Sequence, residues 1–499
     1  MAQVWISPSI IDEKLTERQF KAAFLCFVAL FTSYACAVAP LVVKGSDFVN
    51  SIDDTRFQII GVAYQPGGSS GFDPGSGIDP LSDASVCLRD AVLMQRLGVN
   101  AIRVYNLDPD LDHSTCASIF NAAGIYMILD VNSPLPNQSL NRGAPWESYS
   151  SDYLERVFKV VEGFMHFNNT LGFFSGNEVI NEDSVPQVPA YIRAVTRDVK
   201  DYIAAQAPRS IPVGYSAADV RPLLMGTFNY MSCGLSNDTS SKIDFFGLNS
   251  YSWCGDATFE TSGYDVLVED FGNTTIPIFF SEYGCNNVSP RTFTEVPALY
   301  GSQMTPVFSG GLIYEYSEEP NNYGLVNLND NGTVSLLVDY DNLRTQYDSL
   351  DIALLEKANA TATSLTPPAC AVSLLSGTNF TMSFALPDRP DGVDALIQNG
   401  VSGNSSDSTN AVTNTKPSQT VYATNGQEIS GLQLNVLNWD QSNLPGNNTS
   451  GTTPSSPSSP SSTTGGSSPS NTNTAAKVDD IKFGALLMGA LGVAVYMQL

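Results

Sequence analysis

Eight short apolar runs between residues 50 and 330, each followed by a stretch of helical character, constrain this 499-residue chain more than anything else in it. The runs are FQIIGVAY (57–64), NAIRVYN (100–106), IYMILDVN (125–132), LGFFSGNEV (171–179), IPVGYSA (211–217), IDFFGLNSY (243–251), IPIFFSEYG (276–284) and GLIYEYS (311–317). Between them, DASVCLRDAVLMQRLG (83–98), YLERVFKVVEGFMHF (153–167) and VPAYIRAVTRDVKDYIAAQA (188–207) place apolar residues at the helical period. Strict alternation of strand and helix predicts a parallel sheet. Eight such units in this span match the count and size of a (β/α)8 barrel, fold class α/β. The rival, an open doubly wound sheet, would carry G-x-G-x-x-G after its first strand, and that fingerprint is missing.

The remaining texture sets the compartment. The charge of −26, from 50 Asp and Glu against 24 Lys and Arg, argues against a nucleic-acid partner, which needs a clustered basic footprint. With only two His, a His-rich metal site or a Ser-His-Asp arrangement is disfavoured, and no metal or organic cofactor is implied. AAFLCFVALFTSYACAVA (22–39) reads as the apolar part of a secretory signal, residues 1–37, with cleavage after Ala37 or Ala39. At the other end, FGALLMGALGVAVYMQL (483–499) follows a short polar spacer and the small residues NTAA. This predicts a glycosylphosphatidylinositol (GPI) attachment signal over 474–499 with Asn473 as the ω site; a tail-anchored transmembrane helix is the rival. Such a protein reaches the cell surface and is tied to the plasma membrane by lipid. Asn-x-Ser/Thr sites at Asn137, Asn168, Asn237, Asn273, Asn331 and Asn379 agree with secretion. Of eight cysteines, six lie outside the leader (Cys87, Cys116, Cys233, Cys254, Cys285 and Cys370), an even number that predicts three disulfides of open pairing. The organisation that follows is a catalytic barrel over 40–370, a partly ordered extension over 371–445 and a Ser/Thr/Pro-rich linker over 446–473. Within the extension, EISGLQLNVLNW (428–439) alternates like a strand packed on the barrel.

In a barrel of this kind, chemistry sits where strands end, on the C-terminal face. The polar strand ends are Tyr64 and Gln65; Arg103, Tyr105 and Asn106; Asp130 and Asn132; Asn177 and Glu178; Asn249, Tyr251 and Trp253; Glu282 and Tyr283; and Tyr314, Glu315 and Tyr316. Glu178 and Glu282 close the fourth and seventh strands and so face each other across one mouth. Glycoside hydrolysis needs such a pair, and a separation of roughly 5–5.5 Å corresponds to retention. One carboxylate attacks the anomeric carbon while the other protonates the leaving oxygen. Asn177 can hydrogen-bond the sugar 2-hydroxyl, and Tyr and Trp faces suit the apolar C–H faces of pyranose rings. The bland readings are a helix-start carboxylate at Glu178, packing for the tyrosines, a structural Glu315 and a solvated loop at Ser317–Glu319. A paired Glu178 and Glu282 with an Asn before the first weighs against the first of these.

The motifs YQPGG (64–68), IRVYN (102–106), SGNEV (175–179), GLNSYSWCG (247–255), SEYGC (281–285) and GGLIYEYSEE…NNYGLV (310–326) resemble the fungal β-1,3-glucanosyltransferases of glycoside hydrolase family 72. Those are GPI-anchored cell-wall proteins, and the resemblance spans about residues 40 to 370. It implies a retaining 1,3-beta-glucanosyltransferase with Glu178 as acid/base and Glu282 as nucleophile. Sugar contacts are implied for Gln65, Tyr105, Asp130, Asn132, Asn177, Tyr251 and Tyr314, and Asp219 with Arg221 falls where the family has an Asp and an Arg lining the groove. Implied disulfides are Cys87–Cys116, Cys233–Cys370 and Cys254–Cys285. Cys370 is the last cysteine, so the cysteine-rich carbohydrate-binding module of some members is missing and glucan binding rests with the groove. The alternatives are a retaining endo-β-1,3-glucanase using the same carboxylates, and an inactive glucan-binding wall protein.

Overall fold

The computed structural model describes residues 38–68, 72–182, 186–236, 238, 240–402 and 409–453. The signal segment, Asn237, the ω site Asn473 and the attachment signal lie outside the described residues. Among the described residues no helix is long and apolar enough to cross a membrane.

A short antiparallel sheet, β1 (Leu41–Lys44), β2 (Asp47–Asn50) and β3 (Arg56–Phe57), precedes the barrel. The eight apolar runs become β4 (Ile59–Ala63), β5 (Ala101–Val104), β6 (Tyr126–Asp130), β7 (Thr170–Asn177), β8 (Val213–Ala218), β9 (Phe245–Asn249), β10 (Ile278–Tyr283) and β11 (Phe308–Ile313). They pair in parallel in chain order, and β11 returns to β4 through Gly311 and Ile60, closing the (β/α)8 barrel that the alternation predicts. Gly310 makes that closure feasible: its φ is +81°, and a Cβ there would lie 2.1 Å from the Ile59 carbonyl oxygen.

The helices form where caps and stripes coincide. Asp83 caps Ala84–Leu97 by accepting from the amides of Ser85 and Val86, and Ser150 caps Ser151–Phe164 through the Tyr153 amide. In the second helix Tyr153, Leu154, Val157, Phe158, Val161 and Phe164 are buried, an i, i+3/i+4 stripe turned onto the barrel. The floor of the barrel is aromatic. Phe48 from β2 packs on Phe245 and Phe279 at centroid distances of 5.8 and 6.0 Å, and Phe57 meets Tyr126 at 5.2 Å. With its lower end plugged, the barrel opens only at the ends where the strands terminate.

Three disulfides are formed. Cys87–Cys116 joins two barrel helices, Cys254–Cys285 joins the loops after β9 and β10, and Cys233–Cys370 ties helix Arg221–Ser232 to the chain beyond the barrel. That later chain is packed down. A hairpin, β12 (Val326–Leu328) and β13 (Val334–Leu336), takes on β14 (Val421–Tyr422) in parallel. Gln95, fully buried, donates to the Ala123 and Asn435 carbonyls and accepts from the Asn435 amide and Asn448 Nδ2 at 2.9 and 2.7 Å. The alternating 428–439 segment does not become a strand. Leu432 and Leu434 are buried as alternation requires, but Ile429 is buried out of phase with them and Val436 is exposed. The Ile429 amide meets the Val421 carbonyl and Ser430 bridges to Thr452, while the amides of Gln433 and Asn435 bond to side chains, Ser450 and Gln95. Pairing there stops at isolated bridges and does not extend into a ladder.

Candidate active site

Arg103, a cation in the middle of buried strand β5, organises the mouth of the barrel. It is fully buried, so its charge must be met by anions and acceptors. Nε and Nη2 take both oxygens of Asp130 at 3.1 and 2.9 Å; Nη2 also reaches Asn177 Oδ1 at 3.0 Å. Nη1 reaches Asn249 Oδ1, the Ser281 carbonyl and Glu282 Oε1, each at 3.3 Å. The guanidinium lies over the rings of Tyr105 and Phe174 at 4.4 and 4.6 Å.

Because Arg103 can only donate, it fixes both amides that face it. Asn249 must present Oδ1 to Arg103, Ser216 and Ser281, which turns its Nδ2 to Asn177 Oδ1 at 3.1 Å and Glu178 Oε1 at 2.7 Å. Asn177 presents Oδ1 to two donors, and its own Nδ2 is left for the groove. Glu178 itself adopts φ +50°, rare for a side chain of its size, as the chain turns at the end of β7; its amide still reaches the Ser216 carbonyl at 2.8 Å.

Glu282 meets only donors. Tyr105 Oη donates to Oε1 at 3.0 Å and Tyr251 Oη to Oε2 at 2.7 Å, alongside the Arg103 contact. Burial pushes the Glu282 carboxyl up to about 7; Arg103 and the two tyrosine hydroxyls pull against that push, and charge on Glu178 adds to it. The tyrosine hydroxyls are held well above their usual range by burial first and by Glu282 next, so they remain protonated donors. Tyr314 stands edge-on to Tyr105 and to Tyr251, each at 6.3 Å, and Tyr323 completes the wall at 5.6 Å from Tyr251 and 5.3 Å from Tyr314.

The other sequence candidates are placed around this centre. Gln65 accepts from the amides of Tyr105 and Asn106 at 3.2 and 3.0 Å, holding the loop after β5, and it borders a cavity of about 410 Å³ that also touches Pro66, Phe72 and Leu328. Asp130 is nearly sealed, at 6 % exposure, beneath Arg103. Asn132 gives Nδ2 to the Ser175 carbonyl at 3.0 Å and receives Tyr153 Oη at 2.6 Å, so both of its ends are engaged in the wall. Asp219 and Arg221 pair with each other through two contacts, and Ser250 Oγ joins Asp219 at 2.7 Å. That pair forms a separate, more exposed cluster on the rim. Tyr64 and Tyr316 point away from the mouth onto Asp90 at 2.9 and 2.5 Å, a buried brace. Glu315 is buried and accepts from Asn321 Nδ2 at 3.0 Å; burial pushes its carboxyl up to about 7. The Ser317–Glu319 stretch, expected to be a solvated loop, is packed in at its start: Ser317 is buried and bridges to Val326, and Glu318 accepts the Gly324 amide at 2.7 Å. Among the described residues no group of three or more His, Cys, Asp or Glu could hold a metal ion.

Reading strand ends for carboxylates passed over Arg103 and Asn249 as site residues, although an Arg inside an apolar strand signals a buried ionic cluster. Tyr323 had no such signal, because it sits in a loop without periodicity.

The glucanosyltransferase family matches residues 30–351. The chain is 58 % identical over 433 residues to the 1,3-beta-glucanosyltransferase gel2 of Aspergillus fumigatus, covering 86 % of this chain and 90 % of that protein. It is 45 % identical over 355 residues to the 1,3-beta-glucanosyltransferase GAS4 of Saccharomyces cerevisiae, covering 70 % and 75 %. Among solved structures, Saccharomyces cerevisiae Gas2p in complex with laminaritriose and laminaritetraose superposes with a TM-score of 0.64 at 37 % identity, over 72 % of this chain and 79 % of that one. A family match across more than half of the chain, a relative at this identity and a shared barrel agree: the chain belongs to the glucanosyltransferase family.

Proposed function

We propose that this chain is a retaining 1,3-beta-glucanosyltransferase: it cleaves β-1,3-glucan and transfers the new end to another glucan chain. The observation that carries the reading is the paired strand-end carboxylates, Glu282 held only by donors and Glu178 reached through Asn249 Nδ2, below a wall of four tyrosines. The reading is supported by the names of the relatives and by the laminari-oligosaccharides bound to Gas2p.

The chemistry runs in two displacements. Glu282 attacks the anomeric carbon as the glycosidic C–O bond breaks, and Glu178 gives its proton to the departing oxygen. Arg103, Tyr105 and Tyr251 favour the ionised, attacking form of Glu282 before this step. The free Nδ2 of Asn177 is oriented to donate to the 2-hydroxyl, and the tyrosine faces receive the sugar rings. An incoming glucan hydroxyl then loses its proton to Glu178 and attacks the same carbon; the ester bond to Glu282 breaks and both carboxyls are restored. Configuration is retained after two inversions. Purified enzyme incubated with laminari-oligosaccharides should yield products longer than the substrate; only shorter products would make it an endo-β-1,3-glucanase instead, and no turnover would leave a glucan-binding protein.

We further propose that residues 1–37 are removed on secretion and that a GPI lipid on Asn473 holds the protein at the plasma membrane. Of the 446–473 segment expected as linker, residues 446–453 are packed, with Asn448 buried on Gln95 and Thr452 bonded to Ser430, so the working unit runs through them. Cleavage after Ala37 suits the packing, because Val38 and Ala39 are buried, their backbones held by Asn121 and Tyr126. Phosphatidylinositol-specific phospholipase C should release the protein from intact membranes; retention would contradict the lipid anchor.

A further inference from the structure

Arg291 lies in the loop after β10, outside the chemistry described above, and it is only 3 % exposed. Its five N–H groups are all engaged. Nε donates to Asp339 Oδ2 at 2.6 Å, and the backbone amide of the same residue reaches Asp339 Oδ1 at 3.1 Å. Nη1 takes the carbonyls of Tyr314 and Gly284 at 2.6 and 3.3 Å; Nη2 takes those of Tyr323 and Gly324 at 2.6 and 3.4 Å. The guanidinium also lies 5.7 Å from the Tyr323 ring centre. Two of the four gripped carbonyls therefore belong to Tyr314 and Tyr323, half of the aromatic wall, and a third belongs to Gly284, two residues after Glu282. Asp339, on helix Val338–Tyr347, anchors the fork from behind. The ends of β10 and β11 are already joined by the Tyr314 amide to the Tyr283 carbonyl at 2.9 Å, and the Glu315 amide reaches the Tyr323 carbonyl at 3.0 Å. A buried arginine used this way adds its fork to those bonds and ties the segments to helix Val338–Tyr347.

We propose that Arg291 is a positioning residue for glucan: by clamping the backbones of Tyr314 and Tyr323 it sets the shape of the wall on which the sugar chain lies. The inference rests on the glucan-transfer reading. It separates binding from chemistry, because Arg103 and Glu178 stand on other strands, and Glu282, near the end of β10, is held by Arg103, Tyr105 and Tyr251 and not by Arg291. Lysine at this position keeps the charge next to Asp339 but has no planar fork and cannot reach four carbonyls.

The test is steady-state transfer kinetics of the full-length enzyme on laminari-oligosaccharides, with a melting temperature recorded for each variant. Arg291→Lys should raise KM about ten-fold while kcat changes less than about three-fold, and it should shift products from longer toward shorter oligosaccharides. Asp339→Asn, which leaves the fork in place but removes its anchor charge, should raise KM in the same direction by a smaller factor. Tyr323→Ala alone should raise KM, and adding Arg291→Lys to it should add little, since both act through one wall. Wild-type KM and product lengths in Arg291→Lys, or a loss confined to kcat, would overturn the proposal. Should Arg291→Lys fail to fold, an unchanged KM in Asp339→Asn overturns it equally. Wild-type enzyme that makes no longer products would instead overturn the transfer reading itself, and this inference with it.

Discussion

Glu282→Gln should lower glucan transfer by about 10⁴-fold or more, and Glu178→Gln by about 10²–10⁴-fold, with the fold intact in both. The amide at 282 keeps the volume of the carboxylate and can still accept from Tyr105 or Tyr251, but it cannot form the glycosyl ester. At 178 the amide can still accept from Asn249 yet has no proton of useful acidity for the leaving oxygen. The two losses are separable by leaving group. A β-laminaribioside with an acidic aryl aglycone needs little protonation, so Glu178→Gln should recover most of the first step on it. Glu282→Gln should recover none. Equal behaviour of the two variants on that substrate would contradict the assignment of roles. pH enters with a definite sign: burial raises Glu282, so the attacking carboxylate is lost as pH falls through its pKa, and any change that removes a donor from it moves that loss to higher pH.

Arg103→Met should be inactive and should also cost stability, about 3–5 kcal/mol, the penalty of leaving a buried ion without its partner. Asp130 and Glu282 would share a buried site with no cation, and Asn177 and Asn249 would lose the donor that fixes their orientation. Total domain stability is about 5–15 kcal/mol, so a loss of this size is readily seen in a urea midpoint. Arg103→Met combined with Asp130→Asn should regain part of the stability, since one uncompensated charge is gone, yet remain inactive. A single Arg103→Met variant with near-wild-type midpoint and activity would show that the cluster is not organised as described.

The barrel was legible because its signal is redundant: eight apolar runs had to be strands for the helical stretches between them to cover anything. Glu178 and Glu282 were legible for a related reason, since the chain turns polar where the barrel opens and few positions there can hold a carboxylate. Direction was not legible. Tyr64 and Tyr105 both stand at strand ends, yet Tyr64 turns outward to Asp90 and Tyr105 inward to Glu282. Likewise, Asp130 and Asn132 lie at the right height but spend their polar atoms on Arg103, Ser175 and Tyr153. Those choices depend on partners 21 to 177 residues away, beyond any local pattern. The 428–439 segment shows the complementary limit: alternation reported the burial of Leu432 and Leu434 but not the extent of pairing, which stops at isolated bridges because Gln95 and Ser450 answer the next amides.

The central claim, that Glu282 carries the glycosyl group between donor and acceptor, is tested most directly by trapping the intermediate. Enzyme would be incubated with a 2-deoxy-2-fluoro-β-laminaribiosyl fluoride, whose good leaving group permits the first displacement and whose fluorine slows the second. Intact mass and peptide mapping should find a single added disaccharide on the peptide bearing Glu282, and none in Glu282→Gln. A label on another side chain, or continued wild-type turnover with no adduct formed, would contradict the account.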